Sequence, residues 1–382
     1  MRIVIDVRHL TKSQPSGVGQ YTAELLKALF DLDKANEYIL FSSGSKRARK
    51  NIPVFDYPNV KNLHINLPNR ILNFFLLAFN RPHFDDLIKG KFGPAEKTIF
   101  FFPNLNFISL TPGTPYVLTL HDLSFEIFPE FFKPKDRWWH HLSHPRQLAQ
   151  DAQKIIVPSN STSHDVAKIF NVLPEKISVI PHGVNKIFSH KIEPRDFGIK
   201  SRYHLPKKFA LFVGTLEPRK NISTIIKAVE EYRKITKDDL GLVLVGRDSE
   251  RAVTLGRATA RPNIRTLGYL PDSDRPALYR LAAVTLFPSI YEGFGLSIVE
   301  SVACGTPVIT SRTSAMPEVG GEATIYVDPY NVNDLVAALK ELLTSPDLQK
   351  QKIAAGLEQT KRFSWEKTAK ETLKTLQNNN VL

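Results

Sequence analysis

The chain has 382 residues, more than the roughly 250 to 300 at which a single hydrophobic core stops growing, so two domains are expected. With 42% hydrophobic and 23% charged residues and no apolar run near the ~20 needed to cross a bilayer, the composition excludes a disordered or membrane-embedded chain. A formal net charge of +13 calls for acidic partners without choosing among nucleic acid, anionic lipid and phosphorylated substrates, and the lone Cys304 excludes an internal disulfide.

Arg2 to Val7 is a short apolar run rich in β-branched residues, followed by a loop holding Pro15, Gly17 and Gly19 and a helical pattern from Tyr21 to Phe30. Strand, glycine loop and helix in that order open a doubly wound nucleotide-type domain. A dinucleotide fingerprint would need a third glycine where Thr22 stands, so a nicotinamide cofactor is set aside. The opening residues carry too short an apolar run for a signal peptide. With the single cysteine, this predicts a cytoplasmic protein, with peripheral association at the inner face of a membrane as a further expectation.

Strands are expected at Tyr38 to Ser42, Leu63 to Leu67, Thr98 to Phe102, Tyr116 to Leu120, Lys154 to Val157 and Ile177 to Ile180. Helices are expected at Pro134 to Gln153 and Ser161 to Phe170, giving a mainly parallel sheet. His121 and Asp122 then follow a strand directly, where open α/β sheets place ligands. Two patches suit a membrane or an acceptor. Arg70 to Arg81 is apolar between arginines, with Phe74, Phe75 and Leu76 expected to face outward into a membrane, and is preceded by the basic Lys46 to Lys50, while Phe131 to His141 mixes aromatic residues with bases.

Asn185 to Pro206, with two prolines and mixed charge, is expected to be the linker. A second series of strands follows at Phe209 to Gly214, Gly241 to Gly246, Asn263 to Tyr269, Ala283 to Phe287, Pro307 to Thr310 and Ala323 to Val327. Helices at Val332 to Leu343, Asp347 to Phe363 and Trp365 to Gln377 close the chain. Arg219 and Lys220, at the start of a helix after the first strand of this half, form a pair of cations suited to a pyrophosphate.

Glu292 and Glu300 lie eight positions apart, with Gly293 and Gly295 favouring a turn between them and an apolar run carrying Glu300 into a helix. At ~1.5 Å rise per residue the carboxylates are roughly 12 Å apart, too far to act as one acid–base pair. Two acceptors flanking the free amides of a helix start suit a ligand with hydroxyls at both ends and negative charge between, which is the layout of a nucleotide-sugar. Asp31/Asp33 and Asp272/Asp274 look like metal-binding aspartate pairs but flank helices, where carboxylates cap or turn, so no metal is expected.

The Glu292 to Glu300 stretch resembles the Glu-x7-Glu signature of the retaining glycosyltransferases of family 4. In the same order come Gly17-Val18-Gly19, His121-Asp122, Val157-Pro158-Ser159, His182-Gly183-Val184-Asn185, Gly214 to Lys220 and Cys304 to Val308, covering nearly the whole chain. The resemblance implies an α/β GT-B fold, with two doubly wound Rossmann-like domains facing across a cleft. It divides the chain into an acceptor-side domain at 1-190, a nucleotide-sugar domain at 191-362 and a last helix at 363-382 packing back on the first domain. His121 would stand beside the transferred sugar, with Gly17 and Gly19 at sugar-phosphate or acceptor, and Arg219 and Lys220 would hold the pyrophosphate. Glu292 would contact sugar hydroxyls, Glu300 the ribose, and the backbone of Gly293, Phe294, Gly295 and Leu296 sugar or phosphate. The base would lie near Gly268, Tyr269 and Leu270.

Many relatives carry arginine directly after the glycine where this chain has Thr215, which leaves open how Arg219 and Lys220 share the cationic role. The wording of the motifs is most like mannosyltransferases of surface polysaccharide assembly. The resemblance thus implies GDP-mannose, with UDP-hexose as the alternative donor, and a glycan or polyprenol-linked acceptor, with no separate cofactor and no nucleic acid. Two other functions remain open: a GT-B-like sugar-nucleotide 2-epimerase and a basic nucleic-acid-binding module.

Overall fold

The computed structural model describes residues 1–12, 17–247 and 261–378; Pro15 of the glycine loop lies outside them. The chain divides into two compact units, Met1–Gly183 with Trp365–Leu382, and Val184–Ser364.

The first unit is built on seven parallel strands, β1 (Arg2–Asp6), β2 (Glu37–Ser43), β3 (Val60–Ile65), β4 (Thr98–Phe102), β5 (Tyr116–Thr119), β6 (Lys154–Val157) and β7 (Ile177–Val179). Their order is β3-β2-β1-β4-β5-β6-β7. All five residues of β1 are buried, because helices cover both faces of such a sheet and alternation of polar and apolar residues disappears. The order reverses between β1 and β4, paired from Arg2 opposite Thr98 to Ile5 opposite Phe101. Loops leaving those two strands diverge there and form the natural ligand crevice of the sheet.

The second unit repeats the scheme with β8 (Phe209–Val213), β9 (Gly241–Val245), β10 (Ile264–Thr266), β11 (Val284–Phe287), β12 (Val308–Ser311) and β13 (Thr324–Val327), in the order β10-β9-β8-β11-β12-β13. Its reversal falls between β8 and β11. The loop after β8 carries Arg219 and Lys220, and the loop after β11 carries Glu292.

The closing helix Trp365–Gln377 belongs to the first unit. It buries Trp365, Thr368, Ala369, Thr372 and Leu376, one stripe at helical spacing. Thr368 Oγ1 donates to the Pro181 carbonyl at 2.8 Å, and the Trp365 ring lies 5.9 Å from that of Tyr21.

Three local expectations are corrected. The single helix expected over Pro134 to Gln153 is two, Pro134–Leu142 and Pro145–Asp151. His144 between them adopts φ 47°, and Pro145 cannot continue a helix because it lacks the amide that an internal turn requires. Arg219 and Lys220 lie in a short 3-10 turn, Pro218–Lys220, and left-handed Asn221 separates them from the helix Ile222–Thr236.

The expected linker, Asn185 to Pro206, is instead a structured part of the second unit. A capping box of Glu193 and Asp196 starts the helix Pro194–Arg202, and Phe188, Ile199 and Leu205 enter the core. Asp196 accepts a two-pronged bond from Arg280 at 2.6 and 2.7 Å, with both side chains buried. Low hydrophobic periodicity concealed this, because one buried ion pair and three scattered apolar residues do the anchoring. Asp196→Ala should lower the unfolding free energy of the second unit by roughly 3 kcal/mol, since it strands a buried guanidinium. In chemical denaturation, a change below about 0.5 kcal/mol would return the segment to linker status.

Candidate active site

In the second unit the two crossover loops are joined by a backbone bond from the Ile290 amide to the Arg219 carbonyl at 2.8 Å. Arg219 Nη1 donates to Glu292 Oε2 at 2.9 Å and to the Tyr291 carbonyl at 3.1 Å, while its Nε pairs with Glu217 at 2.7 Å. Lys220 Nζ binds Glu292 Oε1 and lies 4.9 Å above the Phe287 ring. Burial and the neighbouring Arg219 pull the Lys220 ammonium down, while Glu292 and Glu217 oppose them. Two cations and two carboxylates thus balance in a largely buried cluster, an arrangement in which a phosphate can compete for the cations.

Gly295, at φ 105°, reaches a left-handed conformation that favours glycine and starts the helix Leu296–Ala303. That helix carries Glu300, buried, with Oε2 accepting from the Tyr279 hydroxyl at 2.8 Å and Oε1 lying 3.3 Å from Arg275 Nη1. Burial followed by the Glu300 charge drives the Tyr279 hydroxyl far up, so it stays a donor. Tyr279 and Arg275 were missed by sequence reasoning. They sit four apart on the helix Arg275–Leu281, and nothing in their local pattern points at Glu300. Phe294 and Leu270 are buried in the core, which limits them to backbone contacts with a ligand. Gly268 has φ 66°, its carbonyl accepts from the Gly246 amide at 2.8 Å, and Tyr269 is exposed beside Arg247. Gly293 is buried and Leu296 half-buried.

In the first unit, Gly17 opens the helix Gly17–Leu32 rather than lying in a loop. Among the described residues a Cβ at Gly17 would meet nothing within 4 Å, while Gly19 is buried. His121 Nε2 stands 2.9 Å from the Pro103 carbonyl, which can only accept, so the ring proton is assigned to Nε2 and Nδ1 is left as the acceptor. Tyr21 packs against His121 and His182 at 4.7 and 4.5 Å. In the Phe131 to His141 patch, Trp139 packs on Phe107 and His140 stacks on Phe125, whereas Trp138 is exposed.

Burial lowers the pKa of His9 to about 4, and it also lowers those of His121 and His182. A base kept neutral in the fold protonates more readily once unfolded. Stability is therefore complete above the ordinary value of 6.5 and is lost as pH falls toward 4. His9 alone should contribute a loss of about 3 kcal/mol over that window. Denaturation of His9→Gln and of the native chain at pH 7 and pH 4.5 checks this; an equal acid sensitivity in both would be the contrary result.

Among the described residues, no three His, Cys, Asp or Glu side chains gather as a metal site, and no helix is long and apolar enough to cross a membrane. Asp33 is engaged by Asn36 and Tyr38, Asp31 by Tyr57, and Asp274 by Tyr203. Cys304 is buried, its thiol pushed up to about 12 by burial.

Two Rossmann-like units with parallel sheets, the second with paired cations and two glutamates after its crossover strands, are the architecture of a GT-B protein. Residues 15–186 match the model described as Glycosyltransferase Family 4, and residues 198–359 that of Glycosyl transferases group 1. The chain is 32% identical to the O-antigen chain mannosyltransferase B of Escherichia coli, over 67% of this chain and 68% of that protein. It is 30% identical to the serotype-specific mannosyltransferase WbdA of Escherichia coli over 57% of this chain, a match spanning only 26% of that longer protein. In structure it is similar to sucrose-phosphate synthase of Thermosynechococcus elongatus, with a TM-score of 0.75, 19% identity and 98% of each chain covered. The chain belongs to glycosyltransferase family 4, and it is a glycosyltransferase.

Proposed function

We propose that the protein is a retaining, metal-independent mannosyltransferase that moves mannose from GDP-mannose to a growing glycan or polyprenol-linked glycan at an anionic membrane surface. The observation that carries the reading is the cluster of Arg219, Lys220 and Glu292 at the crossover of the second sheet. The names of the two mannosyltransferase relatives support the choice of sugar and acceptor.

In this reading the donor diphosphate takes the guanidinium fork of Arg219 and the ammonium of Lys220, displacing part of their pairing with Glu292. The carboxylate so released accepts from the sugar hydroxyls. As the bond from the sugar C1 to the phosphate oxygen breaks, its electron pair stays on the phosphate, where the two cations stabilise the growing charge. The acceptor oxygen then bonds to C1 from the same face and passes its proton to a phosphate oxygen. No protein base is needed. Glu300 accepts from Tyr279 and pairs with Arg275, and the same carboxylate accepts from the ribose hydroxyls. His121, neutral with Nδ1 as acceptor, is suited to a sugar hydroxyl. The aspartate pairs are occupied by structural bonds, which favours metal independence.

Transfer assayed with GDP-mannose and UDP-glucose, with and without acceptor, tests the donor, and NMR of the product tests the anomeric outcome. Arg219→Ala and Lys220→Ala should each lower kcat more than they raise KM, because the leaving-group charge is largest in the transition state. Native rates in both variants would exclude the pyrophosphate role. Glu300→Ala should weaken GDP and GDP-mannose alike by roughly 10-fold or more, as loss of a charged hydrogen bond implies. Unchanged GDP affinity would remove Glu300 from the ribose. Activity should survive EDTA; loss restored by Mg²⁺ or Mn²⁺ would overturn the metal-independent reading.

A further inference from the structure

In the first unit, the helix Asn69–Phe79 buries only Leu72 and Leu76. Phe74 and Phe79 are 60% and 62% exposed, and Ile71, Phe75 and Leu77 are also exposed. The expectation that Leu76 lies outward is thereby corrected: it joins the core, and Leu77 and Phe79 take its place. Phe74, Phe75 and Phe79 pack on one another, with ring separations of 5.9 to 6.3 Å. Scattered surface apolar residues need no explanation, but a contiguous outward cluster of this size does.

The charge around it is mostly basic, although Arg81 pairs with Asp86 at 3.4 Å and Lys61 with Glu37 at 2.6 Å. From residue 38 to 84 there are seven Lys and Arg and a single carboxylate, Asp56. Four of those bases, Lys46, Arg47, Arg49 and Lys50, are exposed on and just after the short helix Lys46–Arg49. That helix and the start of Asn69–Phe79 are tied to the same residue: Asn51 Nδ2 donates to the Thr11 carbonyl at 2.8 Å, and Asn69 Nδ2 to Thr11 Oγ1 at 3.3 Å. Bases and apolar face therefore leave the same edge of the sheet, after β2 and β3.

We propose that the outward face of Asn69–Phe79, with the basic turn Lys46 to Lys50, seats the first unit on an anionic lipid surface. The helix is only ~16 Å long, so it lies in the interface with its rings among the acyl chains rather than spanning. Each base contributes roughly a fivefold gain in partitioning at such a surface. Charge complementarity selects this occupant: an acidic protein would satisfy the bases but offer no apolar depth for three phenylalanines. The assignment deepens the acceptor side of the proposed function and rests on it for its purpose. Binding itself is read without donor or acceptor, so its failure and the failure of mannosyl transfer are separate results.

The test is sedimentation of the full chain with phosphatidylcholine vesicles with and without about one third phosphatidylglycerol. Binding should need the anionic lipid and weaken at least 10-fold at high salt. Substituting Phe74→Ser, Phe75→Ser and Phe79→Ser together should cost at least 10-fold. Lys46→Glu, Arg47→Glu, Arg49→Glu and Lys50→Glu together should cost at least 100-fold. All seven side chains are exposed, so the fold should be retained, which circular dichroism of each variant checks. As a second measurement, fluorescence of the Phe74→Trp protein should be quenched by brominated acyl chains. Equal binding to neutral vesicles, native binding by the triple variant or unquenched fluorescence would overturn the proposal. So would absence of vesicle binding with self-association that the triple variant abolishes, which would assign the face to a second copy.

Discussion

Burial of charge at the crossover of the second sheet is the constraint on which the site depends. Desolvating two cations is costly unless carboxylates lie beside them, and Glu217 and Glu292 supply that neutralisation from the loops after β8 and β11. Because β8 and β11 are adjacent strands running the same way, both loops leave from one end of the sheet. The backbone bond between Ile290 and Arg219 then fixes their separation. Moving either loop would expose half of a charge pair, so the fold and these charged groups hold each other in place.

The first unit combines a buried charge pair with a neutral polar cluster. At its own crossover, Arg8 and Asp6 form a buried pair, with the guanidinium also bonded to the Phe107 carbonyl and lying over the Phe84 ring. Around Tyr21 the groups are neutral: His9 bonded to Thr22, His121 to a carbonyl, and His182 packed between Tyr21 and Trp365. Trp365 arrives from the far end of the chain, so this cluster is completed only when the last helix returns. Neutral acceptors suit hydroxyl groups, and the charged cluster of the second unit suits phosphate.

The surface of the first unit adds a third kind of environment. Its outward phenylalanines pack on one another and remain exposed, because only Leu72 and Leu76 of this helix turn into the core.

The sequence by itself determined the class of fold and most of its elements. Thr98–Phe102, Lys154–Val157 and Trp365–Gln377 are read from the residues to their ends, since buried parallel strands are continuous apolar runs and an amphipathic helix keeps its 3.6-residue stripe. It also singled out Arg219, Lys220, Glu292 and Glu300, because charged residues beside glycine turns at strand ends are locally visible. Tertiary structure alone decided who pairs with whom. Glu292 faces two bases more than seventy positions earlier, Arg280 reaches Asp196 across 84 positions, and Tyr279 meets Glu300 across 21. Such pairings follow from strand order, which local periodicity does not encode. For the same reason Asn185 to Pro206 read as linker, and Leu76 as outward, until the packing of neighbouring elements chose their partners.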